Sequence, residues 1–542
     1  MVAGRISPDL PKIRRLALKL GTTGIKYILP DCPPFRNAAM MNHLFDALTA
    51  FIPDRSKVFL ETLDGGKITY ADMFARSAQY AGALQKLGVK AGDRVAVQVE
   101  KTPDALMLYL GTIRAGGVFL PLNTAYTSAE IGYFVGDAEP AVFVCDPARA
   151  DVLAGTAQKA GARLHTLDQN GEGSLSLLAD QMPTDYANRP SEDDDLAAIL
   201  YTSGTTGRSK GAMLTHGNLA SNSQTMVKYW QFTEDDVLLH ALPIFHTHGL
   251  FVATNCLMMA GGSMLFLPKF DLDQVLAALP NATAMMGVPT FYTRLLASDR
   301  FTRDVAAHMR LFISGSAPLS AEVHKEFRER TGHAILERYG MTETNMNTSN
   351  PYDGARRPGT VGFPLPGVGL RVVDARTGRE LPDGEVGIIE IKGPNVFLGY
   401  WRMPEKTAQE FRADGYFITG DMGRIDEDGY VSIVGRSRDL IISGGFNVYP
   451  AEVEALLDEL PGVAESAVIG VPHPDFGEAV VAVLAPKPGA ELGQDAVQAS
   501  LNDRLAKFKQ PKKVHVLEVL PRNTMGKIQK NVLRERFSDD FG

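Results

Sequence analysis

Residues 196–211 read Leu196-Ala-Ala-Ile-Leu-Tyr-Thr-Ser-Gly-Thr-Thr-Gly-Arg-Ser-Lys-Gly211. The first six residues form a short apolar run, which predicts a buried strand over Leu196–Tyr201. Directly after it come three glycines, Gly204, Gly207 and Gly211, whose backbone freedom lets N–H groups converge on an anion. Thr202, Ser203, Thr205 and Thr206 add hydroxyl donors, and Lys210 adds a cation. The segment is not the nucleotide-triphosphatase P-loop, because Ser209 stands where that motif requires its second glycine. On its own it indicates phosphate binding after a strand.

Outward from this loop, short apolar runs recur at helix-length intervals. They are Arg94–Glu100, with Val95, Val97 and Val99 alternating, then Ala141–Cys145, Val237–Leu242, Met264–Leu267, Ala284–Val288 and Leu311–Ser314. Between them lie helical patterns such as Tyr70–Leu87, which Gly88 can end, and a helix start at Thr102-Pro103. Strands alternating with helices predict an α/β fold with a largely parallel sheet. Beyond Gly359 the rhythm changes to short strands, Leu370–Val373, Gly387–Ile391 and Tyr430–Val434, joined by Asp-Gly turns, which reads as a small β unit. From Pro450 onward a helix over Ala451–Leu460 and strands over Ser466–Gly470 and Ala479–Leu484 indicate a compact α+β unit.

The chain has 542 residues, too many for one core, with an ordinary soluble composition and a formal net charge of -8. That charge disfavours a nucleic-acid partner, and no apolar run is long enough to span a bilayer. The three cysteines are widely separated and make no metal-binding pattern, which suits a reducing compartment. Residues 1–40 differ from the rest, carrying seven Lys/Arg against Asp9 and Asp31. Pro11, Pro30, Pro33 and Pro34 interrupt any amphipathic helix there, so the segment reads as a disordered tail or an over-long start rather than a targeting peptide. The expected location is cytoplasmic, with a mitochondrial one as the alternative should the extension be a targeting peptide.

Four further stretches accompany the glycine-rich loop: Tyr339-Gly-Met-Thr-Glu343, Thr419-Gly-Asp421, Gly435-Arg-Ser-Arg438 and Pro521-Arg-Asn-Thr-Met-Gly-Lys527. In this order, the set resembles the adenylate-forming superfamily of acyl-CoA synthetases, luciferases and peptide-synthetase adenylation domains. The likeness runs from about Met41 to the C-terminus. It implies a large N-terminal domain of α/β layers with a small β unit (residues 41–437) and a small mobile C-terminal α+β domain (residues 438–542).

The resemblance also implies the chemistry and the residues that carry it. An acid carboxylate attacks the α-phosphate of ATP, pyrophosphate leaves, and the acyl-adenylate is then taken by coenzyme A. Positioning and fixed positive charge would do most of this work. Thr202, Ser203, Gly204, Thr205, Thr206, Gly207 and Lys210 would hold phosphates, with Glu343 and Thr205 at a Mg²⁺ ion and Thr342 at the α-phosphate. Gly315, Ser316 and Ala317, with Glu337, Arg338, Tyr339, Gly340 and Met341, would shape the nucleotide pocket. Asp421 would accept the ribose hydroxyls, supported by Arg436. Lys527 would bridge the α-phosphate and the attacking carboxylate. Arg438 stands at the hinge about which the small domain would turn, His246 at the gate of the thiol channel, and Gly444 and Gly445 where the backbone would approach the pantetheine arm. The resemblance further admits a homodimer and acetylation of Lys527 by a lysine acetyltransferase.

For the acid, Phe245–Phe251, Gly287–Thr293 and Glu343–Ser349 resemble the malonate-activating branch more than acetate, aryl or long-chain branches. Methylmalonate differs by one methyl and stays open. Ser314, His246, Thr247 and Met346 would line the acyl pocket. A diacid needs a cation for its second carboxylate, because an unpaired buried charge is costly. Arg310 is the first candidate and Arg338 the second. The alternative readings are ligation of another short acid and an adenylation enzyme that loads a carrier protein. A nucleotide-binding regulator without catalysis is disfavoured, because Lys527, Glu343 and Asp421 are all kept.

Overall fold

The structure is a computed structural model that describes residues 42–542, apart from 53, 203–208, 445, 502–503, 524–525 and 542. The extension over residues 1–40 therefore lies outside the described residues. Among those described, the strands form four sheets. One seven-stranded sheet runs in the order Gly399–Tyr400, Lys210–Thr215, Leu196–Thr202, Val118–Pro121, Arg94–Gln98, Val142–Cys145 and Arg163–Thr166. A nine-stranded sheet has Leu336–Met341, Leu311–Ser314, Ala284–Gly287, Val237–His240, Ser263–Phe266 and Val58–Thr62 as its parallel centre. Helices cover both sheets, as expected of an α/β fold.

The strand Arg94–Gln98 departs from its expected half-buried alternation. Ala96 and Gln98 are buried as fully as Val95 and Val97. A parallel strand covered by helices on both faces has no solvent side, so the valines that suggest a period of two are simply its bulkier members. The helix Tyr70–Lys86 forms as expected, with a capping box between Thr69 and Asp72 and Gly88 in the left-handed region beyond its end.

The glycine-rich loop connects Leu196–Thr202 to Lys210–Thr215, two antiparallel neighbours. Both ends of the loop are thus anchored in one sheet. The small β unit is a four-stranded antiparallel sheet, Gly369–Val373, Gly387–Lys392, Phe417–Ile425 and Val431–Arg436. The C-terminal unit packs the helices Pro450–Asp458 and Gln494–Leu501 on a five-stranded sheet centred on the long hairpin Val463–His473 and Gly477–Pro486.

Candidate active site

The C-terminal ends of the parallel strands in both large sheets open on one cleft of about 620 Å³, closed on another side by residues of the C-terminal unit. Crevices of this kind arise because strand carbonyls and the loops after them converge there. Its walls include Thr202 and Lys210 from the hairpin, Phe245–His248, Ser316, Gly340–Glu343, Met346, Arg436 and Arg438, with Lys527 entering from the C-terminal unit. Residues expected to act together, up to 325 positions apart in sequence, thus share one space.

Behind one wall stands a carboxylate chain, of which Arg436 lines the cleft while Tyr339 and Asp421 do not. Tyr339 donates its hydroxyl to Asp421 Oδ2 at 2.5 Å, and Arg436 Nε pairs with Asp421 Oδ1 at 2.6 Å. Asp421 comes from the strand Phe417–Ile425 and sits opposite Arg436 in register, which fixes the pair. Glu343 is buried beside them and accepts a hydrogen bond from Tyr400 at 3.1 Å. Burial raises its pKa above the usual glutamate value, against the opposing pull of Tyr400, Arg436 and Lys210. Lys210 lies 3.5 Å from Glu410 and 4.1 Å from the centre of the Tyr400 ring. Lys527 keeps solvent-accessible surface although protein surrounds it in the cleft. Burial, then Arg436, lowers its pKa from the ordinary lysine value, while Asp421 and Glu343 pull the other way.

The walls also carry two histidines and, near them, the Arg338 guanidinium. Burial, with Lys527 and Arg338 nearby, pushes His246 down to about 3, so its imidazole is neutral at ordinary pH. His248 is buried, and its Nδ1 lies 3.3 Å from Ser316 Oγ. Arg338 is 3 % exposed, and its Nε and one terminal nitrogen are buried with no hydrogen-bond partner. Gly315 makes this placement feasible, since a β-carbon there would overlap the guanidinium. Burial brings Arg338 down to about 10, still charged at neutral pH.

Arg310 is a correction. Its guanidinium grips Asp236 through two contacts of 2.6 Å and donates to the Trp230 and Gln231 carbonyls at 3.2 Å. It is absent from the cleft, because Arg310 precedes the strand Leu311–Ser314 and so sits at the end remote from the ligand crevice. Arg338, the second candidate, is the cation that faces the cleft. Ser314 is buried behind the wall with its hydroxyl unpartnered, and so is Glu337, whose carboxyl burial raises to about 8. Ala317 and Gly444 do not line the cleft; Gly444 turns the hairpin between Ile441–Ser443 and Phe446–Val448. Ser203, Gly204, Thr205, Thr206, Gly207 and Gly445 lie outside the described residues. Sequence reasoning missed Tyr400 and Glu410. Tyr400 sits on a two-residue strand beside Lys210–Thr215, and only its neighbour Gly399 hinted at a special backbone there.

Comparison with known proteins places the whole chain in context. The family model described as AMP-binding enzyme matches residues 50–401, and the model of the AMP-binding enzyme C-terminal domain matches residues 452–527. The crystal structure of ATP-bound MatB from Rhodopseudomonas palustris is 60% identical, with a TM-score of 0.91, over 93% of this chain and 100% of that one. The malonate–CoA ligase of Arabidopsis thaliana is 35% identical over 91% of this chain and 84% of its own. A feruloyl-CoA synthase of an Amycolatopsis species is 37% identical over 87% and 94%.

Proposed function

The chain belongs to the AMP-binding enzymes, and on that premise we propose that it ligates malonate to coenzyme A at the expense of ATP, through an acyl-adenylate. Malonyl-CoA, AMP and pyrophosphate are the products. Relatives of similar identity are named for different acids, malonate and ferulate, so the identity of the acid rests on the chemistry of the cleft. One observation carries it. Arg338 is a buried cation with unpartnered nitrogens that lines the cleft near His246 and His248. An orphaned guanidinium is costly unless an anion completes it, and its planar fork matches a carboxylate. Malonate supplies one carboxylate to react and a second to fill that place. Ferulate would leave the cation unpaired.

The remaining residues serve the first half-reaction. Lys210 and the hairpin loop take the phosphates of ATP, Asp421 accepts the ribose hydroxyls, and Lys527 steadies the attacking carboxylate against the α-phosphate. Glu343 fits a divalent ion: it is a buried carboxylate with no ion pair among the described residues, at the phosphate end. Mg²⁺ bound there, typically through one or two carboxylates plus phosphate oxygens, would neutralise charge on those oxygens. Methylmalonate adds only a methyl, worth about 1–3 kcal/mol in an apolar pocket, and is the natural competitor.

The test compares thioester formation from malonate, methylmalonate, propionate and ferulate by the wild type and Arg338→Met. Removing one member of a buried pair typically costs about 3–5 kcal/mol, so kcat/KM for malonate should fall at least a hundredfold while propionate is little affected or improves. Equal losses on both acids, or a wild type that prefers ferulate, would reject the assignment.

A further inference from the structure

The wall segment that carries Phe245, His246, Thr247 and His248 is held from behind by two buried polar residues. Lys101 follows the strand Arg94–Gln98 of the seven-stranded sheet and is 8 % exposed. Its ammonium reaches across to the nine-stranded sheet, where it meets His240 Nδ1 at 2.8 Å, the His240 carbonyl at 2.8 Å and the Leu267 carbonyl at 2.6 Å. Those carbonyls close the adjacent parallel strands Val237–His240 and Ser263–Phe266. Three acceptors use all three ammonium protons.

This arrangement sets the imidazole tautomer. With Nδ1 accepting from Lys101, His240 carries its proton on Nε2, which lies 2.9 Å from the Gly249 carbonyl and donates to it. Thr254 donates to the same oxygen at 3.1 Å. Gly249 is the second residue of the π-helical stretch His248–Thr254, a wide-turned segment of the kind that marks functional sites. A β-carbon on Gly249 would collide with the Pro243 carbonyl, so the loop is pressed shut at its base. Residues 241–248 therefore form an excursion whose two ends are joined through His240 and Gly249.

We infer that Lys101 and His240 are positioning residues: together they clamp this loop and so set where His246 and His248 stand relative to Arg338 and the bound acid. Neither touches the cleft. Because Lys101 follows a strand of one large sheet and its acceptors lie at strand ends of the other, the clamp also ties the two sheets together beside the acid. The inference rests on the reading of the cleft as an acid-activating site, though not on which acid is taken.

Acid-dependent pyrophosphate exchange tests it, measured as KM for the acid and KM for ATP separately, with whichever acid the wild type accepts. The variants are Lys101→Met, His240→Asn and His240→Gln. Glutamine places an N–H donor where Nε2 stands and can reach the Gly249 carbonyl; asparagine ends near Nδ1 and cannot. Small displacements of a substrate-positioning wall weigh heavily on rate, so Lys101→Met and His240→Asn should raise the KM for the acid on the order of tenfold. The KM for ATP should stay within about twofold in every variant, and His240→Gln should return most of the lost acid affinity. Parallel rises in both KM values, or His240→Asn and His240→Gln behaving alike with unchanged thermal unfolding, would overturn the clamp. If Lys101→Met does not fold, the two His240 variants decide the matter alone. Inactivity of the wild type toward every acid would instead overturn the functional reading.

Discussion

Two arginines separate recognition from architecture in this molecule. Arg338 and Arg310 are both partly or wholly buried cations near the nine-stranded sheet, and sequence offers little to rank them. What divides them is the partner. Arg310 is satisfied by Asp236, a carboxylate 3 % exposed that also accepts from Thr233 and Thr283. Burial alone would raise the pKa of Asp236, yet these donors, Arg310 first, hold it below the usual aspartate value. Arg310→Leu should therefore cost about 3–5 kcal/mol of stability by stranding Asp236. Urea unfolding would register that loss, while the malonate-to-propionate ratio of kcat/KM in the folded fraction should remain that of the wild type. A collapse of the ratio would return Arg310 to the acid site.

At the scale of elements, the glycine-rich hairpin, the Tyr339–Glu343 stretch and the Lys527 segment were legible because each is a contiguous run whose composition serves one task. The α/β alternation was legible for the same reason: helical and strand periods differ within a few residues. Sites assembled from single residues were not. Tyr400, Glu410 and the Lys101–His240 pair lie on unrelated segments, and only the tertiary fold brings each to its partner. The direction of a strand end also stayed hidden, and that misplaced Arg310: a residue just before a parallel strand and one just after it look alike in sequence but lie at opposite rims.

The C-terminal unit contributes Lys527 to the cleft. Lys527→Ala should cut adenylate formation by on the order of a hundredfold or more, since it removes a preorganised cation from the developing charge. Transfer from a pre-formed malonyl-adenylate to CoA should be nearly unaffected. Comparable loss in the two half-reactions would show that the lysine stays in place throughout. Arg438, in the short turn Ser437–Asp439, lines the cleft where the β unit hands over to the C-terminal unit. Arg438→Pro fixes φ there and restricts the residue before it, so single-turnover thioester formation should slow while pyrophosphate exchange persists. An unaltered thioester rate would move the hinge elsewhere.

For the molecule as a whole, several buried histidines are kept neutral. Burial pushes His216 to about 4 and His246 to about 3, and holds His240 and His248 well below the ordinary 6.5. Each depressed histidine binds a proton on unfolding between its folded value and about 6.5, so the unfolded state holds more protons there, and stability must rise with pH through that window. Glu337, raised to about 8, and Asp458, raised to about 6, act in the opposite sense, losing their contribution as pH rises from the ordinary carboxyl range. Glu343, also raised, joins the carboxyls, and His165, His324 and His333, also lowered, join the histidines; among the described residues seven groups outweigh three, so urea midpoints should climb between about pH 5 and about pH 6.5. A midpoint that is flat or falls over that interval would mean these histidines are already protonated in the folded protein.

The pairing of Arg436 with Asp421 has a consequence beyond the β unit. Arg436 ends the last strand of the β unit, and the chain runs from it directly into the turn at Ser437–Asp439 and then into the C-terminal unit. The unit that bears Lys527 thus departs from the strand whose last residue is paired with Asp421. If Asp421 holds the ribose as proposed, a bound nucleotide bears directly on the strand end from which that unit departs.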